Sequence, residues 1–278
     1  MSSRAPEIDP TARLLFIINA AAGRNDSDMT RQVIEETLKA NGRTGELLFT
    51  RPDELARAAQ QAAATACARR TAVVAVGGDG TINSVAQAAH LQGCALGVLP
   101  QGTFNYFART HGIPTDVTAA AQAMLRAVPA PVQVGLINER VFLVNASLGL
   151  YPEMLQDREA YKARFGRSRF VAFASALITM LGRHHHLRLR IELGANAREV
   201  LTPTLFVGNN RLQLEQVGLP EADALDEGCL AAVMLRPIGT VSMLRLFLRG
   251  TIGTLGEANT VVSLKFHRLL VKPRLAWG

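Results

Sequence analysis

The sequence predicts an α/β N-terminal domain with a parallel sheet, followed by a C-terminal domain that is a mainly antiparallel β-sandwich. In the first half, apolar runs alternate with helical patterns; in the second, strand patterns follow one another closely, and a proline-containing break separates the halves. Alternating strands and helices need crossover connections, which give a parallel sheet covered on both faces. The chain has 278 residues, of which 48% are hydrophobic and 19% charged, enough for two such domains.

The predicted elements of the first half alternate regularly. Runs rich in β-branched and other apolar residues are typical of strands, whereas helices repeat apolar residues every three to four positions. The expected strands are 13–19, 44–50, 72–76 and 95–99, and the expected helices are 28–40, 53–70, 82–91 and 116–127.

The segment VPAPVQ, residues 128–133, interrupts this alternation with two prolines. Proline breaks regular structure, so we place the boundary near Pro131, with domains at 1–130 and 131–278. The second half is expected to contain helices within 152–182 and 240–251. Its expected strands are 132–137, 141–148, 187–193, 203–208, 229–235, 260–266 and 268–272.

The third predicted strand runs into Gly77-Gly78-Asp79-Gly80-Thr81 and then into a helix. Backbone N–H groups at such a helix N-terminus bind phosphate, and glycine allows the close approach of an anionic ligand. Asp79 would repel phosphate unless a cation bridges them or a substrate hydroxyl gives up its proton to the carboxylate. The alternative is a tight turn in which Asp79 caps the following helix.

Other strand ends carry similar residues. Gly102 and Thr103 follow the fourth strand, Asn19 and Gly23 follow the first, and Thr50 closes the second. Because the carboxyl ends of parallel strands meet at one edge of the sheet, these residues predict a nucleotide site there. Taken singly, each could be a helix cap.

The segments Asn19–Gly23, Gly77–Thr81 and Gly102–Ala108, together with VFLVNASLGLYPEM, TPTLFVGNN and LDEGCL, resemble the diacylglycerol kinase catalytic-domain family. This family includes bacterial lipid kinases and the sphingosine and ceramide kinases. The resemblance implies a two-domain enzyme whose α/β domain, similar to those of phosphofructokinases and NAD kinases, binds ATP. The β-sandwich domain would help to form the lipid cleft, and the γ-phosphate would pass to a hydroxyl of diacylglycerol or a related lipid.

The resemblance also implies roles for particular residues. Mg²⁺ would bind the turn 225–230, where Glu227 stands in place of the family's aspartate. The ATP-binding positions would be Thr50, Gly77, Gly78, Asp79, Gly80, Thr81, Ile82, Asn83 and Thr103.

Two features depart from the family pattern. Tyr106 follows Asn105 where the family usually has an aspartate, and no Asp or Glu follows Glu257, so the late D-G-E segment with its catalytic acid is not seen. We expect either a truncated or altered C-terminus or an acid role taken over by Asp79 or another group, with ATP binding retained. The alternatives are a catalytically silent nucleotide- or lipid-binding homologue and a NAD kinase.

The net charge of +7 lies mostly in the second half, where 18 Lys and Arg face 12 Asp and Glu. Arginines flank the apolar run 170–182 and recur in 236–252. The charge bias suits an anionic membrane surface or nucleic acid, and we expect peripheral contact with the membrane and no nucleic acid partner. The alternative for the two arginine-flanked segments is packed helices with solvated arginines. The run 170–182 is too short to cross a bilayer.

The N-terminus lacks the apolar segment of a secretory signal, so we expect a cytoplasmic protein in peripheral contact with the membrane. Cys67, Cys94 and Cys229 match no metal pattern and are expected to be reduced thiols. The adjacent residues 184–186 are all histidine and are expected at an exposed helix-to-strand junction rather than in a metal site. The oligomeric state stays open, with a homodimer among the alternatives.

Overall fold

The structure is a computed structural model that describes residues 6–20, 24–149, 186–194, 196–216, 218–237 and 260–273. The chain divides into two compact units, Met1–Val144 and Asn145–Gly278. The predicted helices within 152–182 and 240–251, and Gly23, His184 and His185, lie outside the described residues. Among the described residues, no helix is long and apolar enough to cross a membrane.

The first unit is built on a four-stranded parallel sheet with the order β2-β1-β3-β4. Its strands are β1 (Leu14–Asn19), β2 (Gly45–Thr50), β3 (Ala72–Gly77) and β4 (Ala95–Pro100). Its helices are α1 (Arg24–Ala40), α2 (Leu55–Ala68), α3 (Asp79–Gln92), α4 (Tyr106–Thr110) and α5 (Val117–Arg126). The predicted α/β class is therefore confirmed.

Helices cover both faces of this sheet because successive strand residues point to opposite sides. On β1, Leu15 and Ile17 join a buried cluster with α2, α3 and α4. Their neighbours Phe16 and Ile18 join a second cluster with α1 and α5. The continuous apolar run of β1 is thus explained by burial on both faces.

A short antiparallel hairpin, β5 (Gly135–Ile137) and β6 (Arg140–Phe142), completes the first unit. Asn83 of α3 holds it through both ends of its amide, accepting from the Leu143 N–H at 3.0 Å and donating to the Val141 carbonyl at 3.1 Å. Val141 and Leu143 are buried in the same cluster as α2 and α3. The hairpin therefore packs as part of the first unit, and the division falls after Val144 rather than near Pro131.

The second unit contains two antiparallel sheets, with orders β12-β11-β10-β7 and β13-β8-β9. A short helix α6 (Arg211–Gln216) and a 3-10 helix (Pro220–Glu227) connect β10 to β11. The strands are β7 (Asn145–Gly149), β8 (Leu187–Leu193), β9 (Asn196–Thr202), β10 (Thr204–Gly208), β11 (Leu230–Leu235), β12 (Val261–Phe266) and β13 (Leu270–Pro273). The predicted antiparallel character is confirmed.

Two strand predictions in this region need correction. The segment 141–148, expected as one strand, is divided: β6 pairs with β5, whereas β7 pairs with β10 in another sheet. The strand β9 was not expected from the sequence. Most of its residues are exposed, so it lacks the alternation of apolar and polar residues that marks a half-buried strand.

Candidate functional site

Two glycine-containing turns meet at the carboxyl edge of the parallel sheet. The first leads from β3 into α3, and the second follows β4 and leads into α4. A Cβ added to Gly78 would lie 3.1 Å from the Gly102 Cα, and one added to Gly102 would lie 2.7 Å from the Gly78 Cα. The Gln101 N–H also donates to the Gly77 carbonyl at 2.8 Å. Glycine is therefore required by the contact between the turns, whatever they bind.

Asp79 links the two turns. Its carboxylate oxygens accept one hydrogen bond each, from the backbone N–H groups of Tyr106 and Phe107, both at 3.2 Å. These donors belong to the first turn of α4, where N–H groups have no intrahelical acceptor and the helix dipole favours negative charge. Asp79 thus caps a helix, as the alternative interpretation expected, but the helix is α4 and not α3.

Asn105 gives the second turn its shape. It has a positive φ of 51°, a conformation that asparagine tolerates better than most residues. Its side-chain oxygen accepts the Gly102 N–H at 2.8 Å, and its amide donates to the Gly102 carbonyl at 2.9 Å. Next to it, the exposed Phe104 stacks on Tyr106 with ring centroids 5.5 Å apart. The sequence points to Asn105 only through the family motif, which implies no role for it.

A side-chain hydrogen bond joins the end of β1 to the first turn of α3. The Asn19 amide donates to the Thr81 hydroxyl at 3.2 Å, and Thr81 is buried beneath the turn. A Cβ on Gly77 would lie 2.7 Å from the Thr81 Cβ, so this position also needs a glycine. Asn19, Gly77 and Thr81 therefore lie together, as residues at neighbouring strand ends should.

Three of the predicted binding residues have side chains that are buried or hydrogen-bonded within the protein. Ile82 is fully buried in the core, and its N–H bonds the Gly78 carbonyl. Asn83 is engaged with the hairpin, and the buried Thr50 hydroxyl donates to the Ile18 carbonyl at 3.4 Å. The side chain of Ile82 therefore packs in the core, and that of Asn83 braces the hairpin. By contrast, Gly80 and Thr103 are exposed at the two turns.

The arrangement suits an anionic ligand. The N–H groups of Asp79, Gly80 and Thr81 begin α3, whose first intrahelical donor is Ile82. Such groups at a helix N-terminus favour phosphate. A Cβ on Gly80 would meet nothing within 4 Å, so space lies open beside the backbone at this position. The first unit therefore has a cradle of the kind that holds the phosphates of a nucleotide.

Glu227, the predicted Mg²⁺ ligand, has a cationic partner instead. The Lys265 ammonium donates to its Oε2 at 2.5 Å. Nearby, Arg211 pairs with Glu215, Asp223 and Asp226. Across the described residues, no group of three or more His, Cys, Asp or Glu side chains could hold a metal ion. The residues at this turn do not fit a divalent metal, so the prediction for Glu227 is not supported by the geometry.

Residues 13–137, which contain both glycine turns, match the family model of the diacylglycerol kinase catalytic domain. This part of the chain is therefore similar to that family. The resemblance inferred from the motifs is confirmed, and the match to the family model ends within the hairpin that Asn83 holds.

Curated relatives agree with this similarity. A diacylglycerol kinase of Bacillus subtilis (strain 168) is 34% identical over 154 residues, covering 52% of this chain and 48% of that protein. A Pseudomonas aeruginosa (strain UCBPP-PA14) protein named a probable lipid kinase, YegS-like, is 32% identical over 215 residues, covering 74% of this chain and 64% of that protein. The match thus spans about half to just under two thirds of these relatives.

Solved structures support the fold. A crystal structure of a diacylglycerol kinase from Bacillus anthracis str. Sterne superposes with a TM-score of 0.69 at 20% sequence identity. The superposition covers 95% of this chain and 87% of the other. The diacylglycerol kinase fold therefore extends over both units, beyond the residues matched by the family model.

Proposed function

We propose that the protein is an ATP-dependent lipid kinase that transfers the γ-phosphate to the hydroxyl of diacylglycerol or a related lipid. The match of residues 13–137 to a kinase family supports a nucleotide substrate, and the names of the relatives support a lipid acceptor. ATP would enter with Mg²⁺, as phosphoryl transfer usually requires.

The observation that carries this proposal is the close contact of Gly78 with Gly102. It brings the N-terminus of α3 beside the turn after β4, so that exposed Gly80 and Thr103 border the same edge. The phosphates would lie against the N–H groups of the first turn of α3, with the Thr103 hydroxyl as a further donor. Asn19 would act through Thr81, which it holds in place.

When bound, Mg²⁺ would neutralise phosphate charge as the phosphoryl group transfers. The chain's own contribution would be positioning, because Asp79 fixes the first turn against the second by its two hydrogen bonds to α4. Each carboxylate oxygen has a second lone pair, so the same side chain could accept the proton of the lipid hydroxyl. Asp79 is therefore proposed as a positioning residue first and a candidate base second.

A second candidate function is nucleotide binding without transfer. Tyr106 occupies the position of the family's aspartate, and Asp79 is the one acidic residue in the segments 77–81 and 101–106. Its carboxylate is already engaged by two N–H donors. A general base typically contributes about 10²- to 10⁴-fold, so a protein without one would retain binding and lose most turnover.

Contact with an anionic membrane surface would bring the enzyme to its lipid. The excess of six positive charges in residues 131–278, 18 minus 12, supports this part of the proposal. Such attraction falls with ionic strength, so vesicle binding that resists high salt would argue against it. A cytoplasmic location and a homodimer are consistent with this function and stay predictions.

The experiment combines a transfer assay with a binding assay. Purified protein is incubated with radiolabelled ATP, Mg²⁺ and vesicles that contain diacylglycerol, and its melting temperature is measured with and without Mg²⁺-ATP. A lipid kinase gives labelled lipid and a thermal shift, whereas a silent nucleotide-binding homologue gives the shift alone. The absence of both labelled lipid and a thermal shift would refute the nucleotide site.

Gly80→Ala tests the cradle itself. The φ of Gly80 is outside the left-handed region and the added Cβ meets nothing within 4 Å, so the fold should tolerate the change. The new methyl group would occupy the space beside the N–H groups, so the thermal shift with Mg²⁺-ATP should be lost. His90→Ala, at an exposed position in the last turn of the same helix, should keep it. An unchanged shift in Gly80→Ala would show that the nucleotide binds elsewhere.

A further inference from the structure

We infer that two cations of the chain, Arg211 and Lys265, pair with four of the five carboxylates in the acidic segment 215–227, so that the second unit folds without a divalent metal at the turn 225–230. The inference concerns the stability of the second unit and does not depend on the proposed function.

Arg211, the first residue of α6, uses all three guanidinium nitrogens. Nε donates to Glu215 Oε1 at 2.6 Å, Nη2 donates to Asp223 Oδ1 at 2.9 Å, and Nη1 donates to Asp226. The hydrogen bond with Glu215, followed by that with Asp226, raises the pKa of Arg211 above its ordinary value. The rigid fork of guanidinium donors suits contact with several carboxylates at once, and here it joins α6 to the 3-10 helix.

Lys265 pairs with Glu227, the last residue of the 3-10 helix. It lies on β12 opposite Ala231 of β11, and its ammonium reaches Glu227 Oε2 at 2.5 Å. This hydrogen bond raises the pKa of Lys265. Of the five Asp and Glu residues in 215–227, four therefore have a cationic partner, and the fifth, Glu221, accepts from the Ser263 hydroxyl.

A divalent ion would have to displace these partners. Mg²⁺ requires nearly octahedral oxygen ligands, usually with carboxylates among them. Here Asp226 and Glu227 already contact cationic groups, and a metal beside a guanidinium would be repelled by it. One acidic oxygen, Glu221 Oε2, is buried without a hydrogen-bond partner, but a single oxygen cannot hold the ion.

The turn itself is closed by backbone and packing. Gly228, in the left-handed conformation with φ of 75°, ends the 3-10 helix. Its N–H donates to the Leu225 carbonyl at 3.1 Å, and the Cys229 N–H donates to the Ala224 carbonyl at 3.1 Å. The segment is anchored by an apolar cluster that contains Leu214, Leu219, Ala222, Ala231 and Val233. The local structure therefore has its own means of closing without a metal.

The test measures the melting temperature of the full chain in chelator and in Mg²⁺ without nucleotide. A specific ion present at a hundred times its dissociation constant would raise the midpoint by several degrees. We expect no shift for the wild-type protein. In Arg211→Gln, three carboxylates lose their cation, so the midpoint should fall and Mg²⁺ should restore part of the loss. Arg198→Gln, at an exposed position of β9 in the same unit, should change neither the midpoint nor its response to Mg²⁺.

Two results would overturn the inference. One is a rise of the wild-type midpoint with Mg²⁺ that disappears in Glu227→Gln, which would assign the ion to this turn. The other is an Arg211→Gln variant with the same midpoint and the same indifference to Mg²⁺ as the wild type. If Arg211→Gln does not fold, the wild-type measurement with its Glu227→Gln comparison still decides, because it is independent of that variant.

Discussion

Replacing Asp79 by asparagine tests whether this residue joins the two glycine turns. The carboxylate accepts the Tyr106 and Phe107 N–H groups through different oxygens. Asparagine has one side-chain oxygen, so one of these N–H groups would face an NH₂ donor. The negative charge at the N-terminus of α4 would also be lost.

The expected cost is about 2 kcal/mol, the usual value of a hydrogen bond to a charged group at a helix terminus. For a domain of this size, that cost lowers the melting temperature by about 4–8 °C. The measurement is thermal unfolding of the two proteins under identical conditions, followed by the transfer assay with diacylglycerol vesicles.

Asp116→Asn is the matched control. Asp116 caps α5 through one oxygen, which accepts the Ala119 N–H at 2.8 Å. Asparagine is as good an N-cap as aspartate, so this variant should change stability by less than about 0.5 kcal/mol. Should Asp79→Asn melt with the wild type and lose only turnover, the joining role would be wrong and Asp79 would act as a base alone.

Three further predictions concern other residues of the first unit. Asn83→Ala should lower stability by about 1–3 kcal/mol in denaturant unfolding, because two backbone groups of the hairpin lose their partner; an unchanged midpoint would contradict the bracing role. Burial raises the pKa of the Cys94 thiol to about 11, so near pH 8 about one molecule in a thousand carries the Cys94 thiolate. Iodoacetamide followed by peptide mapping should therefore show the exposed Cys67 modified before Cys94, and equal modification rates of the two thiols would refute this. Partial burial of the His111 ring, which packs against Phe107, lowers its pKa below 6.5. The unfolded chain then binds the proton more readily, so the stability from His111 should be present above about pH 6.5 and decline as the pH falls; an NMR titration that gives a pKa at or above 6.5 would show otherwise.

The sequence was sufficient for the first unit's architecture because its strands are buried on both faces. A continuous apolar run such as LLFIIN is typical of a parallel strand that is buried on both faces, and glycine after such a strand indicates the edge of the sheet. Asn19 and Thr81 could be placed together because parallel strand ends share an edge. By contrast, the partners of Asp79 lie 27 and 28 residues further along the chain, and no local pattern specifies them.

The second unit shows where a single sequence is insufficient. Periodicity could not divide 141–148 between two sheets, because a strand that leaves one sheet for another keeps its apolar residues. The resemblance pointed to Glu227 as a metal ligand, but the cations that pair with this segment come from Arg211 and Lys265, outside the motif. Such pairing depends on the tertiary fold, since Lys265 is 38 residues from Glu227.

The bracing of the hairpin by α3 has a practical consequence for dissecting the protein. A fragment that stops at Pro131 would remove Val141 and Leu143, which are 4% and 3% exposed, from the cluster they fill. The apolar groups left bare on α2 and α3 would then be free to associate with those of other copies. An excised first unit should therefore extend to Val144, seven residues past the end of the family match at 137.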